Sequence, residues 1–272
     1  MRSVAEQVFV EGIDIDYSNF KVRYNPRHQN NVNTSEKENP TVDNDVVPGV
    51  PVWSIFTRNS LSELDGNPLI YAMKRERGWN FGSRKDKDAI KRQFDKILDK
   101  FLATHHYDIT LVIPTSSHVN EMIASEIIRK DPSVEYIDGV LVKLTVDDVW
   151  SMVNTKGSSF MRHYRRMGEN AVIEALTSLK NYLSKMKSAK RGKFTRHFVD
   201  DVEMRNVLDM TLKHNPDPIS EDATKINNHD VLIIDDTISR GQTIREAVNT
   251  IRTCYRPNSI SVLTMFSRLN AG

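Results

Sequence analysis

Apolar residues along the chain alternate between helical and strand-like spacing, and the changes mark out its elements. Ile90, Phe94, Ile97, Leu98 and Phe101 share one helical face. Ile109-Thr110-Leu111-Val112-Ile113 follows, bounded by Pro114, and reads as a buried strand. Helical spacing returns at Val119, Met122, Ile123 and Ile127, and Val134 to Leu144 is strand-like around Gly139. Val231-Leu232-Ile233-Ile234 makes another buried strand, and Ile244, Ala247, Val248 and Ile251 line another helix. Ile260-Ser261-Val262-Leu263-Thr264-Met265 supplies a late strand. Helices alternating with strands in this order predict an α/β fold on a parallel sheet.

Two stretches depart from that alternation. Residues 151–215 carry a long amphipathic stripe through Ala171, Val172, Ala175, Leu176, Leu179, Tyr182 and Leu183, then a basic run of Lys185, Lys187, Lys190, Arg191, Lys193 and Arg196. They read as a helical insertion beside a mobile loop. Asn25 to Pro51, rich in Asn, Asp, Pro and Thr, reads as a long loop or mobile segment, while Gly12 to Tyr24 permits a strand or two. The expected organisation is an N-terminal region, 1–67, and a core, 68–272, that contains the 151–215 insertion.

Composition narrows the function classes. With 272 residues the chain can bury a full core. Its net charge of +2 is too near neutral to argue for nucleic acid, so a nucleic-acid partner is not expected. The single cysteine, Cys254, rules out an intrachain disulfide and fits a reducing compartment; its place on a helix suggests a buried structural thiol. No apolar run reaches membrane-spanning length and the first residues do not open a signal peptide, so the expectation is a cytoplasmic protein without a membrane partner. The eight histidines lack zinc-ligand spacing. A homo-oligomer is left open.

The chemistry concentrates where the second apolar strand ends. Asp235 and Asp236 are followed by Thr237, Ile238, Ser239, Arg240, Gly241, Gln242 and Thr243, which lead into the helix. Carboxylates at a strand end can hold sugar hydroxyls, and amides at a helix N-terminus can hold a phosphate. Gly241 permits positive φ and leaves no Cβ between backbone and anion; Ser239 and Thr243 can add hydroxyl donors. Asp147-Asp148 and Asp200-Asp201 are also acidic pairs, but neither precedes a Gly-x-Thr turn, so both read as solvated loop or helix-start carboxylates. Thr115, Ser116 and Ser117, after the first apolar strand, form a second hydroxyl-rich strand-to-helix turn, suited to an anion or to capping.

This apolar strand, acidic pair and Ser/Gly/Thr turn resembles the phosphoribosyl diphosphate (PRPP) motif of type I phosphoribosyltransferases. The ComF-like branch looks most similar. Pro68-Leu69-Ile70-Tyr71-Ala72-Met73-Lys74 is similar to its apolar segment ending in lysine before the first helix. Val119-Asn120-Glu121 and Arg205-Asn206-Val207 resemble two further elements, in family order. The turn at 115–117 departs from the branch in lacking its arginine-rich stretch, and the 151–215 region is longer.

The resemblance implies a parallel-sheet, Rossmann-like phosphoribosyltransferase core with a helical insertion and an N-terminal hood. It implies transfer of phosphoribosyl from PRPP to a nucleobase-like nitrogen acceptor, with release of pyrophosphate and with Mg²⁺ as cofactor. Asp235 and Asp236 would grip the ribose and, through it or water, the metal; residues 237–243 would hold the 5′-phosphate and Thr115, Ser116 and Ser117 the pyrophosphate. Lys74, Lys190, Arg191 and Lys193 are candidates for pyrophosphate contacts, the last three within a lid at 185–205. Arg268 could reach a phosphate or base, and Trp79 and Phe81 could stack on a base or pack in the core. A PRPP-binding regulator without strong turnover is the alternative.

Overall fold

The computed structural model describes residues 11–27, 32–58, 67–115, 117–155, 159–188, 212–215, 221–238 and 241–268. In chain order these form β1 (Gly12–Asp16), β2 (Lys21–Asn25), β3 (Val32–Asn33), β4 (Thr41–Val47), β5 (Val50–Arg58), α1 (Asn67–Lys74), β6 (Asn80–Phe81) and α2 (Arg84–Leu102). Then come β7 (Ile109–Val112), α3 (Val119–Lys130), β8 (Glu135–Tyr136), β9 (Leu141–Lys143), α4 (Val146–Asn154), α5 (Ser159–Met167) and α6 (Glu169–Ser188). The chain ends with β10 (Leu212–His214), a 3-10 turn at Glu221–Ile226, β11 (Asp230–Thr237), α7 (Gln242–Cys254) and β12 (Ser259–Phe266).

A seven-stranded, mostly parallel sheet organises the molecule, in the order β3-β5-β12-β11-β7-β8 with β4 also on the outer edge of β5. β5, β12, β11, β7 and β8 run parallel, and β3 and β4 are antiparallel to β5. From β7 the chain moves outward to β8, then returns to β11 and moves the other way to β12. Strand order therefore reverses between β7 and β11, the position where open parallel sheets leave a crevice beyond their carboxyl ends.

Alternation along each strand divides the core. Leu232, Ile234, Leu263 and Met265 pack with Ile90, Phe94, Ile97 and Phe101 of α2 and Ile123 and Ile127 of α3. Val231, Ile233, Val262, Ile109 and Leu111 face the opposite way, onto Ile244, Ala247, Val248 and Ile251 of α7. Successive strand side chains point to opposite faces, so a continuous apolar run is what a sheet covered on both sides requires.

Several expectations change. Asn25 to Pro51 is not a loop: it contains β3 and β4, and β4 with β5 forms an antiparallel pair around Gly49, whose φ of +70° suits the turn. β4 looked irregular because it is an edge strand whose Asp43, Asn44 and Asp45 sit at or near solvent while Val46 and Val47 alone turn fully inward. β5 belongs to the 1–67 region but pairs with β12, so that region contributes a strand to the central sheet. Pro68 to Lys74 does not precede the first helix; it is α1. Val134 to Leu144 divides into β8 and β9. Cys254 is exposed, not buried, because α7 stops there and the next residue, Tyr255, packs against the core instead. Trp79 is buried, edge-on to Tyr17 and Phe20 of the β1–β2 hairpin, and Phe81 packs against the main core.

The insertion begins earlier than residue 151. Its neck is the antiparallel β9–β10 ribbon, and α4, α5 and α6 close around a core of their own made by Val146, Val149, Val153, Tyr164, Leu179 and Leu183. Asp147 and Asp148 are helix-start carboxylates, as the sequence suggested. Asp148 Oδ2 accepts from the Thr145 amide at 2.8 Å, and Thr145 Oγ1 accepts from the Asp148 amide at 3.1 Å, a reciprocal cap. Asp200-Asp201 lies outside the described residues. Replacing Thr145 with alanine should remove about 1 kcal/mol from the three-helix unit. Hydrogen exchange should accelerate across α4–α6 while β7, β11 and β12 keep their protection; equal acceleration in the sheet would show that the helices lack separate stability.

Candidate functional site

Asp235 and Asp236 end the buried part of β11, beside the reversal of strand order, with 7 % and 9 % of their surfaces exposed. Two carboxylates taken out of water need compensation. Asp235 Oδ1 accepts from the Asp236 amide at 2.9 Å, and the Asn120 side chain also donates to Asp235. Burial, and then the neighbouring Asp236 charge, hold the Asp235 carboxyl well above the usual carboxylate range; these two hydrogen bonds and Lys74 pull against that shift.

Asp236 is gripped by Lys74. The ammonium at the end of α1 lies 2.6 Å from Asp236 Oδ2, with the two side chains 15 % and 13 % exposed. Thr115 Oγ1 and Ser117 Oγ approach the same oxygen at 3.3 and 3.5 Å. The first hydroxyl-rich turn and the lysine of α1 thus converge on Asp236. Ser117 is not a helix cap: α3 starts at Val119, after His118, without a side-chain cap. Two cavities among the described residues, about 520 and 400 Å³, do not have the acids in their walls.

Asn120 ties the two central strands together beside the acids. Its side-chain nitrogen donates to the carbonyls of Ile113 at 2.7 Å and Ile234 at 3.4 Å, joining the ends of β7 and β11 where strand pairing stops. Its Oδ1 is buried without a partner. An asparagine in the first turn after a strand-end hydroxyl cluster was the available sequence signal.

The helix-starting turn is partly described. Thr237 closes β11, Ile238 donates its amide to Phe266 at 3.0 Å, and Gly241 caps α7 in the left-handed region, φ +70°, with no side-chain capping bond. Gln242 and Thr243 form the first turn of α7, where amide groups lack helical acceptors. Ser116, Ser239, Arg240, Lys190, Arg191 and Lys193 lie outside the described residues, as does most of the 185–205 segment. A Cβ on Gly241 would overlap Val46 Cγ1, so β4 closes over this glycine; Arg245 of α7 also donates to the Val46 carbonyl at 3.0 Å.

Arg58, at the end of β5, was missed in the sequence. It is 3 % exposed; its Nε donates to the Ser267 carbonyl at 2.6 Å and its Nη2 to the Ile238 carbonyl at 2.7 Å. A buried guanidinium therefore anchors the entry of the turn from the N-terminal strand. The clue was the β-branched and aromatic run Val50–Arg58 after Pro48-Gly49, a strand signal that ends in arginine. Arg268 does not reach the acids. It pairs with Asp43 at 2.6 Å and approaches Asp45 at 3.9 Å, on the wall of the 400 Å³ cleft.

Among the described residues no group of three or more potential metal ligands occurs. Two adjacent carboxylates suit an ion such as Mg²⁺ that takes most ligands from water and substrate phosphates, and do not make a cage of their own.

Asp235→Asn should stabilise the free protein. A carboxyl whose folded pKa is raised keeps its proton where the unfolded chain has lost it, so stability falls as pH rises from about 4 through the raised value and stays low above it. The asparagine variant should melt a few degrees higher at neutral pH, about 2–4 °C per kcal/mol relieved, and show a flatter pH profile. A lower melting temperature at pH 7 would contradict this electrostatic reading. Gly241→Ala should cost about 1–3 kcal/mol through backbone strain and overlap with Val46. Adding Val46→Ala should recover part of the loss if the overlap contributes, and none if strain alone is responsible. Comparison with known proteins returned nothing: no family model, curated protein or solved structure matches the chain.

Proposed function

We propose that the chain is a Mg²⁺-dependent phosphoribosyltransferase that binds PRPP and transfers its phosphoribosyl group to a nucleobase-like nitrogen acceptor. The observation that carries this reading is the convergence of Asp235, Asp236, Lys74, Thr115 and Ser117 at the strand-order reversal, next to an uncapped helix entered through Gly241. The acids suit the ribose hydroxyls, and the amides of the α7 first turn suit the 5′-phosphate. Thr115 and Ser117 offer hydroxyl donors to the pyrophosphate, joined from the sequence motif by Ser116, and the same motif assigns Ser239 and Arg240 to the 5′-phosphate.

In this scheme the C1–O bond to pyrophosphate breaks and its electron pair leaves with the pyrophosphate oxygen. The acceptor nitrogen supplies the pair for the new C1–N bond and then gives up its proton to solvent. Lys74 moves from Asp236 toward the departing pyrophosphate, freeing a carboxylate for the sugar and meeting negative charge where it grows. Asp235 and Asp236 would hold Mg²⁺ through ribose hydroxyls or water, and the ion would supply further neutralisation of the leaving group. The 400 Å³ cleft between β4, β5 and Arg268, drawn mostly from the N-terminal region expected to form a hood, offers space for the acceptor. The closed Lys74–Asp236 pair gives specific support to the second reading, a PRPP-binding regulator in which this lysine resists turnover.

Calorimetry with PRPP and Mg²⁺, followed by pyrophosphate release with a panel of nucleobases, separates the two. Binding with release supports the enzyme; binding without release on any acceptor supports the regulator. Asp235→Asn combined with Asp236→Asn should abolish PRPP binding while circular dichroism stays unchanged. Unaltered affinity in that folded double variant would remove the site assignment.

A further inference from the structure

We propose that a second site, at the opposite ends of the strands, binds a small phosphate-bearing anion. The turn between β4 and β5, the end of α7 and the start of β12 enclose a cavity of about 520 Å³, lined by Pro51, Arg252, Tyr255, Arg256, Asn258 and Ser259 among others. That volume lies in the range of small-molecule pockets. Its walls contain two arginines and no carboxylate. Neither guanidinium has an ion-pair partner among the described residues.

The other polar groups of the wall are already engaged. Tyr255 Oη lies 2.6 Å from His214 Nε2, Asn258 Nδ2 donates to the Asn228 carbonyl at 2.7 Å, and Ser259 Oγ donates to Asp230 Oδ1 at 2.7 Å. Those bonds fix the wall and leave the two exposed arginines as its available donors, and the planar guanidinium fork suits phosphate. Compensation of the α7 dipole accounts for Arg252 in the last turn. It does not account for Arg256, which lies beyond the helix with its amide bonded to Asn227 Oδ1 at 2.8 Å and its carbonyl accepting from the Asn228 amide at 2.8 Å. It does not account for the cavity between them either. Asp230 is held by the Ser259 hydroxyl and is not part of the wall.

The site also has a route to the candidate catalytic end. α7 starts at the uncapped turn after Gly241 and ends in the cavity wall. The β4–β5 pair reaches both places, since Val46 covers Gly241 while Pro51 lines the cavity. An anion held by Arg252 and Arg256 ties the last turn of α7 to the segment that follows it, against the hairpin turn at Gly49 and Pro51.

The test titrates the full chain, without Mg²⁺, with a nucleoside 5′-diphosphate and separately with inorganic pyrophosphate, and maps amide shifts for each. The nucleoside diphosphate should bind and move resonances of residues 252–261. Arg252→Gln with Arg256→Gln should weaken it at least tenfold without altering the melting temperature, and Asp235→Asn with Asp236→Asn should leave it unchanged. Absence of binding by both probes, unchanged affinity in the arginine variant, or shifts confined to residues 235–243 would overturn the proposal. Because the acid variant leaves this site intact, its failure and that of the phosphoribosyltransferase reading are distinguishable.

Discussion

Two adjacent carboxylates, withdrawn from water at the end of a central strand, set the constraint that the surrounding structure meets. Neither could stay there without donors. The sheet supplies the Asp236 amide, α3 supplies Asn120, and α1 supplies Lys74 from a distant part of the chain. Two hydroxyls from the β7–α3 turn complete the grip on Asp236. The remaining strain appears as a carboxyl that resists ionisation at Asp235. Such tension between neighbouring acids is common where a protein must bind a ligand, and a cost to the free state can be recovered when the ligand arrives.

A second constraint concerns the turn between β11 and α7. Its described ends are held at Ile238 by pairing to Phe266 and by Arg58, and at Gly241 by contact with Val46. Arg58 and Val46 both come from the first sixty residues, so the N-terminal strands shape the motif that the sequence places near residue 240. The glycine serves two needs together, a left-handed backbone and the seat for a valine.

What the sequence made legible follows from how each element is buried. β7, β11, β12, α2 and α7 were readable because both faces of the sheet, or one face of each helix, are apolar and continuous. The acid pair and its neighbouring turns were readable because they are contiguous. β4 was not, since an edge strand needs few apolar residues and this one exposes Asp45 and Asn44. β5 was obscured by that polar neighbour, and with it Arg58. Cys254 was misplaced because helical phase predicts burial only while the helix continues. The Lys74–Asp236 pair joins residues 162 positions apart by number, and no local pattern encodes such a meeting. Asn120 stood in a recognisable triplet, but its bonds to two strand ends needed the sheet order to be understood.

Seating β5 beside β12 bears on how the molecule is made. Ser54 and Thr264, hydrogen-bonded at 2.9 Å, are separated by 210 residues. During synthesis β5 must wait with an open edge until β12 emerges, while the three-helix unit can close around its own core much earlier. Long-range pairing of this kind slows folding and lengthens exposure of an unsatisfied strand. The polar residues of β4, poor signals in the sequence, guard the outer edge of the nascent β4–β5 pair, and the inner edge of β5 alone stays open until β12 arrives.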